Sequence, residues 1–403
     1  MKTSYKKATY IFIGCYCIGF LCMLAVFALI AFYFDPLHIF TTPKNKENAL
    51  YSMDSRVQNA GYIRNFDFDS VIIGNSHMEN LSHRKTAQYL PGNWFNLSMS
   101  GSTENERKLV LDKVLSSKKI KQVLLLLNGG FRTNSTEGYE VLYDKNPFND
   151  ISIYLNDMYS KCFFNYMINT VFRTKFDDDC FGKKLNIDEH NAWIYNTFHS
   201  SRIGGIEKWA LHYQNEQLFG TYEALNKSYS NYPRKLKSIS EDTRKKIENN
   251  INNNVLSLVK SHPETQFYCY VHPIFRLAFA LDLRDKNSDA QATEIYIEYL
   301  RQVVKIASTY KNFKLYGFDN LEFTSNVKNY KDISHFTPEL NYILLNYIKE
   351  DRYILNTSNI DEYIDEFLKG CYSFDILSFH NNLNKLIKEN NKNNKHYSSF
   401  PVQ

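Results

Sequence analysis

The sequence lacks the short motifs that mark several large enzyme classes. It contains no GxxxxGK[ST] or GxGxxG segment of the kind that binds nucleotide phosphates, and no HExxH pair of a catalytic zinc site. Its cysteines and histidines do not follow the CxxC or Cys/His spacing of structural zinc sites. The sequence therefore predicts no metal site and indicates no cofactor.

The excess of positive over negative charge is small. The 48 Lys and Arg residues exceed the 43 Asp and Glu residues by 5, and part of that excess lies in an Asn- and Lys-rich C-terminal tail. No stripe of Lys and Arg interleaved with aromatic residues stands out, as it would on a nucleic-acid surface. We therefore do not expect nucleic acid as a partner.

Cysteine is sparse outside an apolar N-terminal segment. Three of the seven cysteines lie within that segment, and the other four are Cys162, Cys180, Cys269 and Cys371. A disulfide between Cys162 and Cys180 would require an oxidising compartment, and the sequence leaves open whether they pair. Cys269 falls in an apolar strand pattern, which favours a buried thiol.

The N-terminal segment is a long apolar run. Tyr10–Phe34 carries no charge and is long enough to cross a bilayer. Lysines precede it and an aspartate follows it, which fits the positive-inside pattern. Because the run ends in bulky residues, we expect an uncleaved anchor rather than a cleaved signal peptide. Residues 1–34 are thus predicted to be a single-pass anchor in the cell membrane, with a cytoplasmic N-terminus and an extracytoplasmic remainder.

Beyond a polar connector at residues 35–66, short apolar runs alternate with amphipathic helical stretches over residues 67–350. The predicted strands are Val71–Ile73, Trp94–Leu97, Gln122–Leu127, Gln266–Val271 and Lys314–Phe318. Strands separated by helices form a parallel sheet covered on both faces. The predicted fold class is therefore α/β, a three-layer α/β/α domain with a central parallel five-stranded sheet.

A long insertion interrupts this alternation at about residues 132–239. It is rich in aromatic residues, which suit carbohydrate contact as well as core packing, so that Trp193 and Trp209 are either sugar platforms or core residues. Residues 351–389 are predicted to form one or two helices, and residues 390–403 a disordered tail.

A candidate nucleophile follows the first predicted strand. The run Val71–Ile73 breaks at Gly74-Asn75-Ser76-His77, as a buried strand does when it enters a tight turn. Such a turn places Ser76 at the carboxyl edge of the sheet, where ligands bind in open α/β folds. Taken alone, these residues favour a polar loop in which Asn75 or Ser76 caps the next helix.

A candidate base lies near the end of the α/β region. Asp332 precedes His335 by three residues, so that its carboxylate could orient the imidazole and stabilise the imidazolium. The alternative is a helix cap beside a surface histidine. Gly101 after the second strand and Asn128 after the third are expected at the same edge as Ser76, where they could donate hydrogen bonds to an oxyanion.

The order and placement of these residues resemble the SGNH (GDSL-type) hydrolase superfamily, which is named for its Ser, Gly, Asn and His blocks. The resemblance implies an SGNH-like, flavodoxin-like fold in which Ser76 is the nucleophile, His335 its base and Asp332 the residue that orients His335. It also implies an oxyanion hole formed by the Ser76 amide, the Gly101 amide and the Asn128 side chain.

Two blocks depart from the family pattern. Asn75 stands where the first block commonly has Asp, and Asn128 lacks the Gly before it and the Asp after it that the third block usually has. His77 and His272 are, with Asn75, candidate pocket residues. His77 is equally consistent with a structural role, and for His272 a structural role is the favoured interpretation.

A single anchor, an extracytoplasmic SGNH-like domain and a large insertion resemble the cell-envelope branch that includes DltD and alginate O-acetylation proteins. This resemblance implies a serine esterase or O-acyltransferase that acts on envelope polysaccharide through an acyl-enzyme. The implied partners are an envelope glycan or acylated saccharide and, for transfer, a multi-pass membrane protein that supplies the acyl group. The alternatives are a non-catalytic glycan-binding or scaffold protein and a lipid esterase at the membrane surface.

Overall fold

The chain forms two compact units in a computed structural model. The described residues are 2–42, 49–52, 54–146, 148–156, 159–172, 181–185, 202–214, 216–227, 232–285 and 291–393. The first unit combines Met1–Phe66 with Thr136–Ile187, and the second, the α/β unit, combines Asp67–Ser135 with Asp188–Gln403. This grouping differs from the predicted division, because it splits the insertion at residues 132–239 between the two units.

The helices, in chain order, are α1 (Lys2–Phe34), α2 (Ser55–Asn65), α3 (Ser76–Glu79), α4 (His83–Tyr89), α5 (Glu104–Ser117), α6 (Ser160–Phe172), α7 (Ile206–Leu211), α8 (Glu216–Asn226), α9 (Glu241–Ile251), α10 (Ser257–Ser261), α11 (Leu277–Asp282), α12 (Ala292–Thr309), α13 (Pro338–Lys349), α14 (Ile360–Ser373) and α15 (Ile376–Lys392). A π-helical turn, Asn252–Leu256, joins α9 to α10.

The strands are β1 (Ala49–Ser52), β2 (Ser70–Ile73), β3 (Trp94–Asn96), β4 (Gln122–Leu127), β5 (Phe181–Leu185), β6 (Gln266–Val271), β7 (Phe313–Tyr316) and β8 (Ile354–Leu355). In the α/β unit a six-stranded sheet has the order β3-β2-β4-β6-β7-β8. Its first five strands are parallel, and β8 is antiparallel to β7. The predicted α/β class is confirmed, and the five predicted strands correspond to the five parallel ones. The sheet nevertheless has six strands rather than the predicted five, because β8 is only two residues long and carries no recognisable sequence pattern.

The parallel register of the sheet brings the carboxyl ends of its central strands to the same edge. Ile73 of β2 pairs with Leu125 of β4, and Leu127 of β4 pairs with Val271 of β6. The strands are apolar runs that are almost wholly buried, as expected for a sheet interior. The segments that follow β2, β4 and β6 therefore emerge at one edge of the sheet. Within β6, Cys269 is a buried free thiol, as predicted.

The first unit is organised around the end of α1. Asp35 is 2% exposed, and its carboxylate accepts hydrogen bonds from the Ile39 amide at 2.9 Å, the Thr41 amide at 2.7 Å and the Tyr154 hydroxyl at 2.8 Å. A buried carboxylate is tolerated when donors surround it, as they do here. Asp35 thus ends the helix and begins a compact turn.

The predicted connector at residues 35–66 contains α2, most of whose residues are buried. A Cβ on Gly61 would come within 2.3 Å of the Leu37 carbonyl oxygen, so this glycine allows the helix to lie directly against that backbone. Gln58 also donates to the Leu37 carbonyl, at 2.8 Å. The described part of this predicted polar connector therefore contains a packed helix.

Helix α1 includes Thr9–Phe34, a stretch long and apolar enough to cross a membrane. Its orientation stays a prediction. Cys162 is disulfide-bonded, whereas Cys180 lies outside the described residues. Of the predicted disordered tail, residues 390–392 belong to α15, and residues 394–403 lie outside the described residues.

Candidate active site

Ser76 lies at the start of α3, directly after the strand β2. The Asn75 side chain caps this helix by accepting a hydrogen bond from the His77 amide at 3.1 Å. Gly74 makes the turn possible, since a Cβ there would lie 2.9 Å from the Leu126 Cβ and 2.5 Å from the Met78 sulfur. The turn therefore presents a half-buried Ser76 at the carboxyl edge of the sheet.

Asp332 and His335 lie in a short loop that the chain itself closes. The Lys331 amide donates to the His335 carbonyl at 3.0 Å, and Tyr330 pairs with Phe336 across the loop. One Asp332 carboxylate oxygen accepts hydrogen bonds from the Ser334 and His335 amides, both at 2.8 Å. The carboxylate of Asp332 is thus oriented by backbone amides of its own loop.

The imidazole of His335 bridges this aspartate and Ser76. Its Nδ1 lies 2.9 Å and 3.0 Å from the two carboxylate oxygens of Asp332, and its Nε2 lies 2.9 Å from the Ser76 Oγ. A proton on Nδ1 leaves Nε2 as the acceptor for the serine hydroxyl. The structure therefore brings together the three residues predicted as nucleophile, base and orienting acid, in the geometry of a Ser-His-Asp triad.

The charge on Asp332 is favoured by its surroundings. Burial by itself would raise the pKa of this carboxyl group, but the hydrogen bond and charge of His335, together with Lys331, hold the pKa well below its usual range. The Lys331 ammonium lies 4.0 Å from the carboxylate, and burial lowers the pKa of that lysine to about 8. Asp332 is therefore ionised at neutral pH and able to stabilise an imidazolium.

Helix α13 connects the two halves of the triad. It begins after Thr337, whose side chain caps it, with Pro338 as its first residue. Asn341 in its first turns donates to the His77 carbonyl at 3.2 Å and to the Asn80 side chain at 3.0 Å. The helix that follows the base is thereby bonded to the helix that carries the nucleophile.

Three histidine rings stack beside Ser76. The His77 ring lies 3.5 Å from the His272 ring and 4.5 Å from the His335 ring, measured between centroids. Burial lowers the pKa of His272 to about 3, so that this ring is neutral at physiological pH. His77 therefore packs against the base, and His272 packs on His77.

Asn128, the predicted oxyanion donor, is held by a buried arginine. Its side-chain oxygen accepts a hydrogen bond from Nη2 of Arg107 at 2.5 Å. Nη1 of Arg107 donates to the Ser102 carbonyl at 2.8 Å and to the Ser102 hydroxyl at 3.2 Å. Because the amide oxygen of Asn128 is occupied by this bond, its NH₂ group is the part left to donate to a ligand.

The loop that carries Gly101 is bonded to the same arginine and to the serine turn. The Ser102 hydroxyl donates to the Gly74 carbonyl at 3.0 Å, and the Met99 amide donates to that carbonyl at 2.9 Å. Gly101 is exposed and has a φ of 63°, a conformation that glycine adopts at little cost. Gly101 and Asn128 are therefore joined to the Ser76 turn through Ser102 and Arg107 rather than directly.

A buried glutamate secures the backbone beneath Asn128. One Glu104 carboxylate oxygen accepts from the Asn128 amide at 2.8 Å and from the Tyr299 hydroxyl, and the other accepts from the Asn250 side chain. Asn254 of the π-helical turn donates to the Asn250 side chain at 2.8 Å. Burial raises the pKa of Glu104, and the charge of Arg107 opposes that rise.

Arg107 and Glu104 are site residues that were not predicted from the sequence. Both are buried, at 1% and 2% exposure, although arginine and glutamate are rarely buried unless paired. The available signal was periodicity: Arg107 precedes the apolar Val110 by three residues, so it continues the buried face of α5.

The two tryptophans predicted as sugar platforms or core residues have different outcomes. Trp209 is 1% exposed and donates to the Tyr330 carbonyl at 3.0 Å, so it is a core residue and not a sugar platform. Trp193 lies outside the described residues. Among the residues that the structure describes, no group of three or more His, Cys, Asp or Glu side chains is placed to hold a metal ion.

No family model, no curated protein and no solved structure matches this chain. The function of this chain is therefore inferred from the residues of the site and their geometry.

Proposed function

We propose that this protein is an SGNH-type serine esterase or O-acyltransferase, anchored in the membrane by α1 and acting outside the cytoplasm on cell-envelope polysaccharide. The observation that carries the proposal is the hydrogen-bonded series Ser76, His335 and Asp332 at the carboxyl edge of the parallel sheet. The strand order supports an SGNH-like, three-layer arrangement with helices on both faces.

The proposed reaction begins with attack by the Ser76 Oγ on the carbonyl carbon of an acyl ester. The hydroxyl proton passes to Nε2 of His335, and the imidazolium is stabilised by the Asp332 carboxylate. The negative charge that forms on the carbonyl oxygen is stabilised by the Asn128 NH₂ group and by the amides of Gly101 and Ser76. Collapse expels the alcohol, which takes the proton from His335, and leaves the acyl group esterified to Ser76.

The second half of the reaction releases the acyl group. A sugar hydroxyl or water gives its proton to His335 as its oxygen attacks the acyl-serine, and the serine then recovers that proton as the new ester or the free acid leaves. Exclusion of water from the site would favour transfer over hydrolysis. For transfer, a multi-pass membrane partner would supply the activated acyl group, because a single helix provides no path across the bilayer.

Labelling with a fluorophosphonate probe tests the nucleophile. We expect the full-length protein to be labelled and the Ser76→Ala variant not to be, because only an activated serine reacts rapidly with the probe. Ser116→Ala is the matched control, since Ser116 is exposed on α5 away from the triad, and it should label like the wild type. Equal labelling of wild type and Ser76→Ala would refute the assignment.

A second experiment separates transfer from hydrolysis. The protein is incubated with a chromogenic acyl ester, with and without an oligosaccharide acceptor, and both the free acid and the acylated sugar are measured by mass spectrometry. A wild-type protein that neither labels nor turns over any ester would favour the non-catalytic glycan-binding alternative.

A further inference from the structure

Helix α6 of the first unit has an exposed apolar face. Phe164, Ile168, Val171 and Phe172 are 41%, 47%, 58% and 71% exposed. At about 100° per residue these four side chains fall within roughly 100° of the helix circumference, whereas the fully buried Phe163 points in the opposite direction. Soluble proteins seldom leave a continuous patch of this kind uncovered.

The other side of α6, together with Phe164 at the margin of the exposed face, packs on the membrane-length helix α1. The Phe27 ring lies 5.9 Å from the Phe163 ring and 6.4 Å from the Phe164 ring, between centroids. Near the end of α1, the ring centroid of Phe34 lies 6.4 Å from that of Tyr166. The exposed face of α6 is thus immediately beside the last turns of α1.

The length of α1 shows where this contact falls relative to a bilayer. The apolar stretch begins at Thr9, and at about 1.5 Å per residue Phe27 lies about 27 Å further along the helix axis. The hydrocarbon core of a bilayer is about 30 Å thick. A span that enters at Thr9 would therefore leave the hydrocarbon close to Phe27, at the level of α6.

We propose that α6 lies in the membrane surface where α1 emerges, with its exposed apolar face among the lipid acyl chains. The proposal requires that α1 spans the membrane and is independent of the chemistry at Ser76. Residues 162–172 carry no charged side chain, which allows them to enter the interface. The helix is 13 residues long, about 20 Å, too short to cross a bilayer but long enough to lie in its surface.

Quenching by brominated lipid tests this placement. The full-length protein is reconstituted in phosphatidylcholine vesicles whose acyl chains carry bromine near either the headgroup or the terminal methyl. Single tryptophans are introduced as Ile168→Trp in α6, Phe20→Trp in the middle of α1 and Ser116→Trp on the α/β unit, and each signal is taken as the difference from the parent protein. All three positions are exposed, so the substitutions do not disturb packing.

We expect the tryptophan at position 168 to be quenched several-fold more strongly by bromine near the headgroup than by bromine near the methyl end. The tryptophan at position 20 should show the reverse order, and the one at position 116 should not be quenched. Quenching at position 20 without quenching at position 168 would overturn the proposal. If light scattering then showed a dimer, the exposed apolar face of α6 would be assigned to contact with a second copy of the chain. Absence of quenching at position 20 would overturn it as well, because α1 would not span the membrane.

Discussion

The two halves of the candidate site are positioned in different ways. On the triad side, the Asp332 loop fixes its own carboxylate through neighbouring backbone amides, and His335 then reaches Ser76. On the oxyanion side, Asn128 is oriented by Arg107, a charged residue buried within the fold. The first arrangement requires only a short loop of correct shape, whereas the second requires a buried charge to be compensated. Mutations should therefore separate chemistry from stability on the first side and couple them on the second.

The largest effect is expected from removing the base. His335→Gln eliminates the group proposed to take the proton from Ser76, and we expect kcat for ester hydrolysis to fall by about 10⁶-fold, as when a triad histidine is lost. The unfolding temperature should change little, because the Asp332 carboxylate keeps its backbone donors. The matched control is His380→Gln, because His380 lies on α15 and not in the triad. A loss smaller than tenfold would exclude His335 as the base.

Asp332→Asn should have the next largest effect. An asparagine can still accept from the backbone amides, but it cannot stabilise the imidazolium, and we expect kcat to fall by about 10⁴-fold. The exposed helix-capping residue Asp375 provides the control variant Asp375→Asn, which should retain activity. If kcat for Asp332→Asn stays within a factor of ten of the wild type, the triad assignment is wrong.

Asn128→Ala should reduce kcat by about 10²- to 10³-fold with little change in KM, because an oxyanion donor acts mainly in the transition state. Arg107→Met should lower kcat through the same residue, so adding it to Asn128→Ala should cause little further loss. Additive effects in the double variant would show that Arg107 does not act through Asn128.

Arg107→Met should also lower stability, because it leaves Glu104 buried without its nearby cation. Leu111→Ala is the control on the same helix: Leu111 is fully buried, so its truncation should cost about 2 to 5 kcal/mol while kcat is retained. Thermal unfolding and kcat measured on both variants separate a positioning role from a purely structural one.

The smallest effect is expected in the pH dependence of stability, where the two sides should have opposite signs. The pKa of Asp332 is depressed in the folded protein, so its contribution is present above the unfolded value of about 3.9 and is lost as the pH falls through the lower folded value. The pKa of Glu104 is raised, so its contribution is complete below about 4.3 and declines as the pH rises towards the folded value.

Denaturant unfolding between pH 3 and pH 8 measures these contributions. Asp332→Asn should flatten the loss of stability at the acid end, and Glu104→Gln should flatten the decline above about pH 4.3. Identical pH profiles for the two variants would contradict the difference between the two sides.

The sequence predicted those parts of the molecule whose signal is local. The buried runs of β4 and β6 are continuous and apolar, so their strands were predicted with their observed bounds. The loop at Asp332 was also recognisable, because its chemistry lies within four residues. Arg107 could not be assigned from its type, since an arginine in an amphipathic helix is usually exposed. Its partner Asn128 is 21 positions away, and only the tertiary fold brings the side chain on α5 to the residue that follows β4.

The triad depends on a contact between residues 259 positions apart in the chain. At a synthesis rate of about 5 to 20 residues per second, His335 is made roughly 13 to 52 s after Ser76. Throughout that interval the nascent chain carries a serine without a base. A chain that terminates prematurely before residue 335 would thus lack the proposed base, however well its first strands had formed.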